Sequence, residues 1–294
     1  MRFEYKPLIP ICRNDVNYAP QRISSKPWWN SFVTSIATGI ERFILNINHS
    51  QLDIEETQYV CHHEHRFSRD NISRVKHYRV SDKKAVIIFP QGGNGYNFAQ
   101  LAACYLAANG ISAYELQRPI REDNLAEPFD NLDILSVKEI FAKAITEARG
   151  LVDIANEENI GVAGISLGAL YSSILYGIDD RVTSACIVLG GGGIPALIKT
   201  SKAKFMQDIA ARLGDIKPEE VADIEPLNYT NPDKSKNMLM INAMFDEHIP
   251  QEQGRLLWEA WGKPRQYLVR KHTSYSEGFT VLPMIVEHFN QTLA

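Results

Sequence analysis

A serine set between glycines, Gly164-Ile165-Ser166-Leu167-Gly168, stands between an apolar strand-like run, 159–163, and a helix-like run, 167–176. By composition alone such a pentad arises in roughly one chain in ten of this length, so its setting carries the weight. At a strand-to-helix turn the serine is forced into a strained backbone conformation that lifts its hydroxyl toward an incoming carbonyl. An ordinary glycine-bounded turn with Ser166 as helix cap is the plain structural alternative.

A serine hydroxyl is a poor nucleophile at neutral pH and needs a histidine base, which in turn needs an acid to fix its tautomer. In a sheet of parallel strands those partners come from loops at the carboxyl ends of later strands. After the apolar run 238–243 comes Met244-Phe245-Asp246-Glu247-His248-Ile249-Pro250, and after the run 266–269 comes Arg270-Lys271-His272. Asp246 has Glu247 as a neighbouring competitor, and His272 has His248 as its rival. Asp179 and Asp180, just after the helix that follows Ser166, are turn residues on this reading.

With these residues in order, the chain from about Arg74 onward resembles the α/β-hydrolase superfamily of serine hydrolases, whose nucleophile, acid and histidine follow one another as Ser166, Asp246 and His272 do. The acid of that family commonly precedes an Ile/Val-Pro step, as Asp246 precedes Ile249-Pro250. The resemblance implies an oxyanion hole of two backbone amides, the first from Leu167. The second would come from the loop Pro90-Gln91-Gly92-Gly93-Asn94-Gly95, by position Gly93 with Asn94 next. Gln91-Gly92 stands where the family often has His-Gly, a departure that bears on this second donor. No Lys-Ser/Thr follows these glycines, which argues against a phosphate-cradling loop. By loop position Asn94, Tyr96, Phe245 and Tyr275 are expected around the substrate.

The elements that must position these groups are legible from Arg74 onward, where short apolar runs alternate with amphipathic stretches, the signature of βα units. Strands are expected at 74–80, 85–89, 112–116, 160–163, 184–189, 238–243 and 266–269, several of them apolar on both faces, as in a central sheet covered on each side. Helices are expected at 97–108, along 132–152 and at 277–293. The expected fold is α/β, an α/β-hydrolase fold with a mostly parallel central sheet and helices on both faces. A helical, charge-rich stretch at 193–229 is longer than one crossover requires and forms a small cap insertion on this reading. Residues 1–55 form an N-terminal helical extension, with Trp28-Trp29 and then Phe32, Ile36, Ile40, Phe43, Ile44 and Ile47 at helical spacing, packed against the hydrolase domain of 56–294.

The composition places limits on partners. Across 294 residues, 45% hydrophobic and 22% charged with a net charge of -4 describe an ordinary globular chain. The scattered basic residues and acidic balance give no footprint for nucleic acid. No apolar stretch suits an integral membrane segment, and residues 1–10 do not read as a signal peptide. Cys12, Cys61, Cys104 and Cys186 are widely spaced, as in a reduced cytoplasmic protein. Cys61-His62-His63-Glu64-His65 is rich in ligand types but lacks a second ligand pair, so a solvated edge strand is expected and no metal or other cofactor. Gly190 to Gly193 let the chain turn toward the cap, and Arg118 and Arg121 are expected in surface ion pairs.

The expected activity is cleavage of a small or medium carboxylic ester or thioester through an acyl-enzyme on Ser166. Peptidase and acyltransferase chemistry would use the same residues. The stretch before Arg74 is too short for the propeller that accompanies related peptidases. A non-catalytic binding or scaffold protein on the same fold is the alternative from another class.

Overall fold

The computed structural model describes residues 19–22, 53–60, 72–92, 98–117, 133–272 and 275–293, with side chains from Arg74 onward apart from residue 205 and residues 275–279. Among these residues nine strands form one sheet: β1 (Ala19–Arg22), β2 (Asp53–Val60), β3 (Ile72–Arg79), β4 (Lys84–Phe89), β5 (Ser112–Leu116), β6 (Asn159–Ile165), β7 (Val182–Val188), β8 (Met238–Ala243) and β9 (Arg265–Val269). Their spatial order is β1-β2-β3-β5-β4-β6-β7-β8-β9. From β5 through β4 to β9 every pairing is parallel, while β1, β2 and β3 join antiparallel at one side.

The helices are α1 (Phe98–Ala108), α2 (Ile134–Ile154), α3 (Leu167–Ile178), α4 (Ile194–Thr200), α5 (Lys204–Leu213), α6 (Gln251–Ala260) and α7 (Tyr275–Thr292). Alternate residues of the central strands face opposite layers, which is why the strands are apolar throughout. Ile87, Phe89, Val162, Ile187 and Met240 pack with Phe141 and Ile145 of α2, Leu170 and Ile174 of α3, and Leu257 of α6. Val86, Ile88, Ala163, Cys186 and Ile241 pack with Leu106 of α1 and Ile285 and Phe289 of α7. The N-terminal end of α2 is set locally: Asp133 accepts the amide of Ser136 at 2.7 Å, a cap typically worth about 1 kcal/mol.

The expected strands and helices lie where the sequence places them, within a few residues. The N-terminal segment differs in one respect: Ala19–Arg22 and Asp53–Val60 are strands of the main sheet, and the boundary expected at residue 55 passes through β2. The helical run expected at 32–47, the cluster at 61–65, Cys12, Arg118 and Arg121 lie outside the described residues. The stretch expected as a cap holds α4, α5 and two short 3₁₀ turns, Pro218–Glu220 and Pro226–Tyr229. Buried Glu225 holds its base: Oε1 accepts the amide of Gly193 at 2.8 Å and Oε2 that of Ile194 at 2.7 Å, closing the loop that runs between them. Asp179 is more than a turn residue, since its buried carboxylate pairs with Arg181 and Arg149.

Two buried polar clusters at the far side of the sheet from the carboxyl ends make stability depend on pH. His288 of α7 lies 3% exposed, with Nε2 at 3.0 Å from the Ala185 carbonyl and 3.1 Å from Ser184 Oγ, and burial lowers its pKa from 6.5 to about 4. The unfolded chain therefore binds the proton first, and stability falls as pH drops from 6.5 toward 4, by about 3 kcal/mol at 1.36 kcal/mol per unit. Glu157 accepts from Tyr114 Oη at 2.7 Å and contacts His77 Nε2 at 3.2 Å, with the His77 and Tyr114 rings stacked at 4.0 Å. Burial opposes its ionisation, but these hydrogen bonds and the His77 charge outweigh it and hold the carboxyl below its ordinary 4.5. Its ionised form stabilises the fold fully above pH 4.5, and that contribution disappears as pH falls through the lowered native pKa. Urea midpoints measured from pH 7 to 4 should fall, and His288→Gln should flatten the upper part of that decline. An unchanged slope in the variant would remove His288 as its source.

Candidate active site

Ser166 occupies the tight turn between β6 and α3 with φ 55 and ψ -114, a region L-residues adopt at a cost of about 1–3 kcal/mol. The turn is pinned on both sides: the Ser166 amide donates to the Val188 carbonyl of β7 at 2.9 Å, and its carbonyl accepts the Ala169 amide at 2.9 Å. The two glycines are required by space. A Cβ on Gly164 would lie 2.1 Å from the Gly168 carbonyl oxygen, and one on Gly168 would lie 2.4 Å from the Phe89 carbonyl oxygen. The first turn of α3 thus rests directly on the backbone where β4 ends. Leu167 opens α3, and amides of a helix's first turn have no intrahelical acceptor, so its N–H is available to a ligand oxygen.

Asp246 sits in the loop between β8 and α6, its side chain 3% exposed. Its Oδ1 accepts the amides of His248 at 2.8 Å and Ile249 at 2.9 Å, which directs Oδ2 away from its own loop. His272 follows β9, its side chain 11% exposed, with Nδ1 at 2.7 Å from Asp246 Oδ2 and Nε2 at 3.0 Å from Ser166 Oγ. A buried carboxylate can only accept, so Nδ1 carries the proton and Nε2 is left to accept from the serine hydroxyl. The arrangement is therefore suited to removing the Ser166 proton as the oxygen attacks a carbonyl.

The two loops are laced together. Beyond the β8 to β9 ladder, the Met244 amide donates to the Val269 carbonyl at 2.9 Å and the Phe245 amide to the Arg270 carbonyl at 3.0 Å. From the other side, the Glu247 carbonyl accepts the amides of Lys202 at 2.8 Å and Ala203 at 3.0 Å, in the linker between α4 and α5. The insertion is hence bonded to the loop that carries the acid. This clamp has no sequence signal, because all its atoms but one are backbone; the exception is Ser201 Oγ, 3.3 Å from the same carbonyl.

The structure brings Ser166, Asp246 and His272 into one hydrogen-bonded chain and places Leu167 beside it. His248, the rival base, is not on the serine; its ring stacks on that of His272 at 4.6 Å and 24°. Phe245 is 63% exposed, next to Met244 at 41%. Gly93, Asn94 and Tyr96 lie outside the described residues, as does the side chain of Tyr275, the first residue of α7. Gly92 is described, and among the described residues a Cβ there would meet only the Leu167 side chain at 3.4 Å, so the β4 loop and the start of α3 are neighbours. Among the described residues no three His, Cys, Asp or Glu side chains gather as a metal site would need, and no helix is long and apolar enough to cross a membrane.

No protein-family model matches the chain, and no curated protein matches it by sequence. Solved structures do. Acylaminoacyl peptidase from Pyrococcus horikoshii superposes with a TM-score of 0.65 at 15% identity, over 86% of this chain and 43% of that one. A cold-adapted esterase from an Arctic intertidal metagenomic library matches with a TM-score of 0.56 at 15% identity, over 84% of this chain and 96% of that one. An esterase from Pyrococcus furiosus matches with a TM-score of 0.59 at 11% identity, over 86% and 96%. The chain spans less than half the length of the peptidase and nearly all of each esterase. At these identities the likeness is one of fold.

Proposed function

We propose that this chain, which has the α/β-hydrolase fold, is a serine hydrolase that cleaves a small or medium carboxylic ester or thioester. The observation that carries the reading is the hydrogen-bonded chain from Asp246 through His272 to Ser166, on a serine held at φ 55. Ser166 Oγ attacks the acyl carbonyl as His272 Nε2 takes its proton, and the Leu167 amide donates to the oxyanion, joined by a second amide expected at Gly93. Protonated His272 then gives its proton to the leaving alkoxide or thiolate. Water, deprotonated by the same nitrogen, releases the acid and restores the serine. Asp246 stays ionised and stabilises the imidazolium while it exists.

The fold is shared by esterases, matched along 95–96% of their length, and by the peptidase, matched along 42–43%. The peptidase reading retains support from the TM-score of 0.65. Asn94, Tyr96, Phe245 and Tyr275 remain the residues proposed around the acyl group. Cys104 and Cys186, free and buried with thiol pKa values pushed up by burial, fit the reducing cytoplasm proposed for the chain.

Intact mass after treatment with a fluorophosphonate, followed by turnover of p-nitrophenyl acetate, butyrate and octanoate and of an acylaminoacyl anilide, tests the reading. One adduct, absent from Ser166→Ala, with esters turned over faster than the anilide, is the expected result. No adduct on the folded chain would leave a binding protein on a hydrolase fold, and a preferred anilide would make it a peptidase.

A further inference from the structure

His248 is separated from Asp246 by one residue and is left without a part in the proton relay, yet it makes the closest ring contact that His272 has among the described aromatic pairs. The two imidazoles lie 4.6 Å apart with 24° between planes. This placement follows from Asp246: its Oδ1 binds the His248 amide at 2.8 Å while its Oδ2 binds His272 Nδ1 at 2.7 Å, so a single carboxylate sets both the backbone of one histidine and the ring of the other. The hydrogen bond to Asp246 leaves His272 free to swing about the line through Nδ1. A flat ring against its face removes that freedom.

We propose that His248 is a positioning residue for His272: its imidazole, stacked on the base, fixes the plane of that ring so that Nε2 remains aimed at Ser166 Oγ. The inference rests on the serine-hydrolase reading of the site. A neutral ring serves this purpose and a charged one does not, because the base becomes an imidazolium as the reaction proceeds and a second cation across the stack would oppose it. The charged groups facing His248 are Asp246 and Glu247 on its own loop and His272 across the stack. Burial and then the His272 charge lower the pKa of His248 from its ordinary 6.5, against the two carboxylates, which favours the neutral ring.

The test uses the full chain, with p-nitrophenyl butyrate as substrate and a fluorophosphonate as label. His248→Ala should lower kcat about 10- to 100-fold, the cost of a loosened reacting geometry, with KM changed by less than about threefold. His248→Phe, which restores a flat ring without a titratable nitrogen, should recover kcat to within about threefold of the native chain. An alanine variant within twofold of native, or a Phe variant as impaired as alanine, would each overturn the proposal. The underlying reading fails separately: it falls, and this inference with it, if the native Ser166 takes no label, whereas labelled His248 variants with unaltered kinetics dismiss His248 alone.

Discussion

Ser166→Ala is expected to lower kcat on p-nitrophenyl butyrate about 10⁴- to 10⁶-fold, and adding His272→Ala should cost almost nothing further. The reason is that both side chains act in one event: without the oxygen there is no bond to form, and without Nε2 at 3.0 Å its proton has nowhere to go. Asp246→Asn should cost about 10⁴-fold while leaving the fold intact, and the hydrogen bonds say why. Two amides, of His248 and Ile249, already fix the Oδ1 position as an acceptor. The new amide nitrogen must then take the Oδ2 position and donate to His272 Nδ1. That forces the ring's proton onto Nε2, where it can no longer accept from Ser166. Steady-state kinetics with urea midpoints for each variant check this: a Ser166→Ala chain retaining more than a tenth of native kcat, or losses that multiply in the double variant, would exclude a shared step.

Much of this site can be read in the sequence because its parts stand at the ends of strands with strong patterns. β4, β6, β7 and β8 are covered on both faces, so their apolar runs are nearly unbroken, and Ser166 and Asp246 follow such runs. β9 is less buried, but it is short and ends just before His272. The choice of His272 over His248 is legible in that His272 alone follows the last expected strand. In the structure it is enforced by backbone: the paired amides on Asp246 Oδ1 turn the loop so that His248 lies beside the relay rather than in it. β1 and β2 were missed. Asp53-Ile-Glu-Glu-Thr-Gln-Tyr-Val60 has no alternation of apolar and polar residues, and its place in the sheet comes from an antiparallel register with β3. The clamp between the insertion and the acid loop is written in carbonyls and amides, which every residue possesses.

Gly168→Ala should destabilise the fold by about 2–4 kcal/mol and slow fluorophosphonate labelling of Ser166 by more than tenfold. The added Cβ would lie 2.4 Å from the carbonyl oxygen of Phe89 and 2.6 Å from that of Pro90, and neither atom is the end of a flexible side chain. Relief requires α3 to lift from the end of β4. That movement would carry the Leu167 amide and Ser166 Oγ away from the loop expected to hold the second oxyanion donor, so stability and reactivity should fall together. Gly92→Ala provides the control on the other side of the same contact. Among the described residues its Cβ would meet only Leu167 Cδ2 at 3.4 Å and Cβ at 3.5 Å, ordinary van der Waals distances, so a change within about 0.5 kcal/mol is expected. Urea midpoints and labelling rates for the two variants separate the cases. Were Gly168→Ala as stable and as reactive as Gly92→Ala, the nucleophile turn would not depend on close approach of α3 to β4, and the glycines flanking Ser166 would need another reason to be there.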